Sequence, residues 1–131
     1  MIIADMRDYI DGLELMGSVY AAKLPEGTNN SACVYPSQTA QPYERTIGEG
    51  TDTHDILYVT VLVHGNTSQR ETETLARTLY RRLRDTRNAA INGETILFIL
   101  PRYDLQYVGT DDAGVYEYVI EAAVYYDINN Q

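Results

Sequence analysis

Histidine, cysteine and adjacent aspartates are the residues here that could support catalysis or metal binding, and their spacing favours structural roles. His54 and His64 stand near opposite ends of one predicted strand, too far apart to bind one metal ion. Cys33 lies in an apolar stretch without a local activating group, as expected of a small core residue. Asp111 and Asp112 belong to "GTDDAG", which has turn composition and lacks the ligand spacing of a calcium loop. The sequence therefore predicts no catalytic residue, metal site or cofactor, and we do not expect an enzyme.

Arginine supplies the other notable chemistry, in the segment "NTSQRETETLARTLYRRLRDTR" at 66–87. Six of the ten basic residues fall there, in a chain whose formal net charge is -9. They could form a solvated helix face with a Glu73–Arg77 pair, an anion-binding site, or a protein interface. Arginine combines apolar contact with bidentate hydrogen bonding to carboxylates, which suits an interface. In so acidic a chain the complementary surface could be another copy of itself, and the candidate contact residues are Arg70, Arg77, Arg81 and Arg84.

Composition limits the remaining function classes. The net charge and a sequence pI of about 4.5 argue against general nucleic-acid affinity, because that affinity comes from neutralised phosphates. Twelve tyrosines beside one phenylalanine and no tryptophan favour half-buried surfaces, either at the edge of a sheet core or at an interface. A single cysteine cannot form an internal disulfide, and neither a signal peptide nor a membrane-spanning run is recognisable. We expect a soluble protein made in a reducing cytoplasm.

The spacing of apolar residues predicts the order of the secondary-structure elements. A three- to four-residue period at 2–13 and 69–85 indicates two amphipathic helices. In the second helix, Ser68 and Glu71 have the spacing of a capping box. The predicted strands cover 18–24, 31–37, 56–63, 94–108 with a break at Pro101, and 115–127.

These elements predict one domain over residues 1–131, with a long loop at about 37–55 that has no sustained period. Their order is helix, three strands, helix, two strands. We predict an α+β fold in which a single mixed or antiparallel sheet of about five strands carries both helices mainly on one face.

Several phrases in this order resemble the tail terminator proteins of long-tailed bacteriophages, also called tail completion or minor capsid proteins. They are "VYAAKLPE", "CVYPS", "ERTIGEGTDTHD", "ILYVTVLVHGN" leading into "ETLARTLYRRLRD", and "PRYDLQYVGTDDAGVYEYVIEAAVYY". The likeness covers roughly residues 5–127. It implies a structural virion protein of the tail or neck, assembled in the cytoplasm of a host bacterium.

The resemblance implies a homo-oligomeric ring, usually hexameric, that caps the tail tube and stops its polymerisation. The implied partners are the major tail tube protein and the connector or stopper protein of the head, and DNA passes through the lumen without specific binding. No membrane is involved. An acidic lumen would keep DNA from adhering. On charge alone the candidates for lumen, tube or connector contacts are Glu44, Arg45, Glu49, Asp52, Asp55, Glu117 and Glu121.

Two alternatives stay open at the level of sequence. The first is a head-completion or stopper protein of the connector. It would differ from a tail terminator in its binding partner more than in its physical properties. A small cytoplasmic module that binds an anion on the arginine helix would need several arginines converging with a buried carboxylate in one closed pocket. A flat, exposed arrangement of the arginines would count against that module.

Overall fold

The computed structural model describes residues 1–37 and 54–127. Most of the predicted 37–55 loop lies outside the described residues, as do the candidates Glu44, Arg45, Glu49 and Asp52. The elements in chain order are α1 (Ile3–Gly12), β1 (Ser18–Ala21), β2 (Ser31–Pro36), β3 (His54–His64), α2 (Gln69–Arg84), β4 (Arg87–Ile91), β5 (Glu94–Pro101), β6 (Gln106–Thr110) and β7 (Tyr116–Asp127).

One mixed sheet contains all the described strands, which confirms the α+β class. Its order is β1-β2-β3-β7-β5-β4, and β6 also pairs with β7. Only β1 and β2 run parallel, and the other pairs are antiparallel. The prediction of about five strands was wrong, because the described part of the chain forms seven. The predicted element order was therefore also wrong after α2, where four strands follow instead of two.

Strand β4 was missed because its side chains carry no strand pattern. Its sequence, RNAAI, is largely exposed at one end of the sheet. It forms a hairpin with β5 through Asn92 and Gly93, whose φ angles of 50° and 79° suit the twist of a tight turn between antiparallel strands. The predicted turn at these two residues is confirmed. Backbone pairing with β5, more than side-chain burial, makes this segment a strand.

The stretch predicted as one interrupted strand is two strands, β5 and β6. Proline has no backbone N–H to donate to a ladder, and β5 ends at Pro101. The chain turns, and β6 then pairs with the first part of β7 while β5 pairs with the last part. Both strands thus lie along the same side of β7, one after the other. Only long-range pairing reveals this division.

Both helices pack on the same face of the sheet. Met6 and Ile10 of α1 and Leu79 of α2 share one core cluster with alternate residues of β3 and β7, such as Val61 and Ile120. Side chains alternate across a strand, so the intervening residues of β3 and β7 point to the opposite face. We call that the open face, because neither described helix packs on it. Neither helix in the described ranges is long and apolar enough to span a membrane.

The start of α2 uses half of the predicted capping box. Ser68 Oγ accepts a hydrogen bond from Glu71 N at 3.3 Å. The reciprocal bond from Ser68 N goes to Asn66 Oδ1, at 2.8 Å, instead of to Glu71. Asn66 Nδ2 in turn donates to Glu71 Oε1. Asparagine therefore replaces glutamate in one role, and the helix still begins with its exposed donors satisfied.

Replacing Ser68 with alanine should lower the free energy of unfolding by about 1 kcal/mol, because the Glu71 amide loses its acceptor. Urea denaturation measures the change. Ser68→Asp is the matched control, since aspartate keeps a side-chain oxygen that can accept from the Glu71 amide and caps helices about as well as serine. An equal loss in Ser68→Asp would mean that the side-chain oxygen does not cap the helix.

Candidate functional site

The exposed side of α2 carries a line of arginines, which we call the arginine stripe: Arg70, Arg77, Arg81 and Arg84. At about 100° per residue these four lie within roughly 60° of one another around the helix. The buried residues of α2, including Ala76 and Leu79, lie on the far side. The structure thus brings together all four of the predicted interface arginines. Arg82 is also exposed, but lies about 100° around the helix from Arg81.

The arginines of the stripe differ in how they are paired. Arg77 contacts Glu73 Oε2 at 3.4 Å and Asp104 Oδ1 at 3.5 Å, and Arg84 contacts Asp85 at 3.2 Å. The predicted Glu73–Arg77 pair is therefore present. Arg70 and Arg81 are exposed and make no ion pair with any residue in the described ranges. An open groove of about 380 Å³ runs between them along Thr74 and Thr78.

A hydrogen-bonded network fixes Glu73 beside the stripe. Gln69 Nε2 donates to Glu73 Oε1 and to the hydroxyl of Tyr118, both at 2.7 Å, and that hydroxyl donates to Glu73 Oε1 at 3.2 Å. The hydrogen bond from Gln69 lowers the pKa of Glu73, with further lowering by Tyr118 and Arg77. Burial raises the pKa of Tyr118. The network ties the first half of α2 to β7.

The lowered pKa of Glu73 has a consequence for stability in acid. A carboxylate whose pKa is lower in the folded than in the unfolded state stabilises the fold at neutral pH, and this stabilisation is lost as pH falls through the folded pKa. For Glu73 the loss comes below the ordinary value of 4.5. We expect Glu73→Gln to flatten the fall of Tm between pH 6 and roughly pH 3. Equal pH slopes for variant and wild type would contradict this role.

A second charged feature lies on the open face, and we call it the acidic pocket: Glu26, Asp111, Asp112 and Glu117. His64 Nδ1 donates to Glu117 Oε2 at 2.9 Å, and its Nε2 lies 3.7 Å from Asp111 Oδ2. The volume is about 470 Å³, and Leu24 to Gly27 line it opposite the 111–113 turn. Glu26 and Asp112 are exposed and form no ion pair within the described part of the chain.

The remaining predicted residues have local partners. Glu121 accepts hydrogen bonds from Thr60 and Ser37 on the open face. Asp55 is near the start of β3, where it accepts a bond from the Ile56 amide. Asp111 accepts from the amides of Ala113 and Val115, which confirms the predicted turn. Cys33 is fully buried, as expected of a core residue.

The geometry bears on one of the roles left open by the sequence, the anion-binding module. The stripe is an exposed surface, and Glu73, the carboxylate within it, keeps a side-chain exposure of 40%. Within the described ranges the arginines do not converge on a buried carboxylate in a closed pocket, which counts against the anion-binding module. An exposed row of arginines beside tyrosine is instead typical of a surface that contacts another protein.

Sequence reasoning missed the acidic pocket as a unit. Its members come from the loop after β1, the β6–β7 turn and β7 itself, so no local spacing connects them. Their one local signal was the adjacent pair Asp111 and Asp112, which turn composition explained adequately. Only the register of His64 against Glu117 brings the parts together.

The sequence matches the family model described as "Bacteriophage tail terminator protein" over residues 6–128. The matched region includes α2 with the whole arginine stripe and every member of the acidic pocket. No curated protein matches the chain.

Proposed function

Because the chain belongs to the bacteriophage tail terminator family and is a structural component of the virion tail, we propose that it forms a ring on the end of the tail tube. The ring stops tube polymerisation and presents its other face to the head connector. The family match over residues 6–128 carries this proposal. The family is a structural one, so we propose that the chain acts by binding and not by catalysis.

The exposed charge of α2 supports the oligomeric part of the proposal. Arg70 and Arg81 have no carboxylate partner among the described residues, although the chain as a whole carries nine net negative charges. A contact between identical subunits would give these arginines their partners. A head-to-tail contact of this kind closes into a ring when its rotation permits, and we propose a hexamer.

The partners we propose are the major tail tube protein on one side and the connector or stopper protein of the head on the other. DNA passes through the lumen without specific binding, since an acidic wall does not retain phosphates. We propose that Glu121, Asp55 and the acids at 44, 49 and 52, with Arg45, lie toward the lumen or these partners. Assembly takes place in the host cytoplasm.

Light scattering on the purified protein tests the ring, first alone and then with its own tail tube protein. A mass six times the 14.8 kDa of one chain, either free or bound at tube ends, would support the proposal. Electron microscopy of growing tubes then shows whether added protein halts their elongation. A monomer that neither binds tube ends nor changes tube length would overturn it.

A further inference from the structure

The arginine stripe and the acidic pocket lie on opposite sides of the sheet. His64 and Glu117 pair in register across β3 and β7 on the open face. Their neighbours Val63 and Tyr118 point the other way, into the core beneath α2. Stripe and pocket therefore cannot neutralise each other within one subunit.

Both surfaces have charges that nothing in the described part of their own subunit balances. Arg70 and Arg81 are exposed on the stripe, and Glu26 and Asp112 are exposed at the mouth of the pocket. No ion pair within the described residues involves any of the four. Like charges on one surface repel each other and raise its electrostatic free energy, and a surface of opposite charge that binds there lowers it again. The two uncompensated surfaces have opposite signs, arginines on the stripe and carboxylates at the pocket.

The stripe also lies near an exposed aromatic ring. Tyr107 of β6 is 57% exposed. The Tyr107 ring lies 5.4 Å from that of Tyr118, whose hydroxyl bonds to Gln69 and Glu73 beside the stripe. Tyrosine and arginine are the residues that most often dominate the binding energy of protein interfaces. In the described structure β6 pairs only with β7, so its outer edge is also open.

We propose that the arginine stripe of one subunit docks on the acidic pocket of a second copy of this chain. Arg70 and Arg81 pair with Glu26 and Asp112 of that copy, while Tyr107 buries the apolar part of the contact. This inference rests on the proposed function, since a contact between opposite faces repeats around a ring. It places Glu117 in the floor of the docking pocket, whereas charge alone suggested the lumen, the tube or the connector.

Guanidinium and carboxylate groups suit such a contact. Arginine presents a planar fork of donors that can bond both oxygens of one carboxylate. Glu117 and Asp111 already hold His64 between them, which leaves Glu26 and Asp112 to accept the incoming guanidinium groups. Glu26 and Asp112, at the mouth of the pocket, therefore make the new bonds. The contacts of His64 with Glu117 and Asp111, at its floor, do not change.

Two double variants with reversed charge test the pairing: Arg70→Glu/Arg81→Glu on the stripe and Glu26→Lys/Asp112→Lys on the pocket. Each is measured by light scattering under the conditions in which the wild type forms its ring. All four positions are exposed, and thermal melts confirm that the variants remain folded. Each double variant alone should lose the ring, because like charges then meet at every contact. Arg82→Glu is the matched control, an exposed arginine off the stripe that should leave the ring intact.

Mixing provides the decisive measurement. An equimolar mixture of the two double variants should recover rings in which they alternate, because reversed stripe then meets reversed pocket and native stripe meets native pocket. One chain carrying all four substitutions should also form rings. Recovery in both experiments supports the contact.

Other outcomes separate this inference from the proposed function. If the stripe variant loses the ring and the pocket variant keeps it, the inference is wrong and the ring has another acidic surface. Loss in both variants without recovery in the mixture or in the four-substitution chain also overturns the pairing. A wild type that stays monomeric with and without tubes contradicts the proposed function itself.

Discussion

Leu79→Ala should lower the free energy of unfolding by about 3 kcal/mol, because it leaves a cavity where α2 meets the sheet. Leu79 is fully buried in the core cluster shared by both helices and by β3, β5 and β7. A single domain is typically stable by only about 5–15 kcal/mol, so the variant would lose a large fraction of its stability. Urea denaturation monitored by circular dichroism measures the change.

Arg82→Ala is the control for Leu79→Ala on the same helix. Arg82 is exposed and forms no ion pair within the described ranges, so its replacement should change stability by no more than about 0.5 kcal/mol. A loss below about 1 kcal/mol for Leu79→Ala would mean that α2 does not pack on the sheet as described. The arginine stripe would then lack a rigid support.

Gly65→Ala should destabilise the protein by about 2–3 kcal/mol through overpacking at the junction of β3 and α2. An added Cβ would lie 2.7 Å from Thr72 Cβ and nearer still to Thr72 Oγ1. Thr72 is fully buried, and its hydroxyl bonds to both the amide and the carbonyl of Asn66. The Gly65 backbone is itself bonded to Asn30 and Tyr116. Neither side of the clash can move without breaking hydrogen bonds.

Gly12→Ala is the matched control for this steric effect. Gly12 is the last residue of α1, and a Cβ there would meet nothing within 4 Å. Alanine has the higher helix propensity, so this variant should be neutral or stabilised by up to about 1 kcal/mol. Thermal melts of the two variants side by side distinguish overpacking at Gly65 from a general effect of losing a glycine. A Gly65→Ala protein as stable as the wild type would contradict the close approach of Thr72.

Local signals in the sequence were enough to identify the elements that carry strong periodicity. The apolar period of α2, its Ser68 cap and the arginines on its outer side are all properties of one continuous segment. The prediction for this helix ended one residue beyond Arg84, where the structure ends it. Strand β3 and the turn at Asn92 and Gly93 were also predicted from local sequence. Helix period and turn conformation depend on neighbouring residues, so they are available before any tertiary contact forms.

The sequence by itself determined the family, the α+β class and the arginine stripe, because motif order and helical spacing depend only on the order of residues along the chain. The tertiary structure decided the rest. It made RNAAI a strand by pairing it with β5, and it divided the 94–108 segment between two places on β7. It also gathered Glu26, Asp112 and Glu117 into one pocket on the side of the sheet away from α2. Strand pairing and register join residues far apart in sequence, and local composition does not encode which of them will meet.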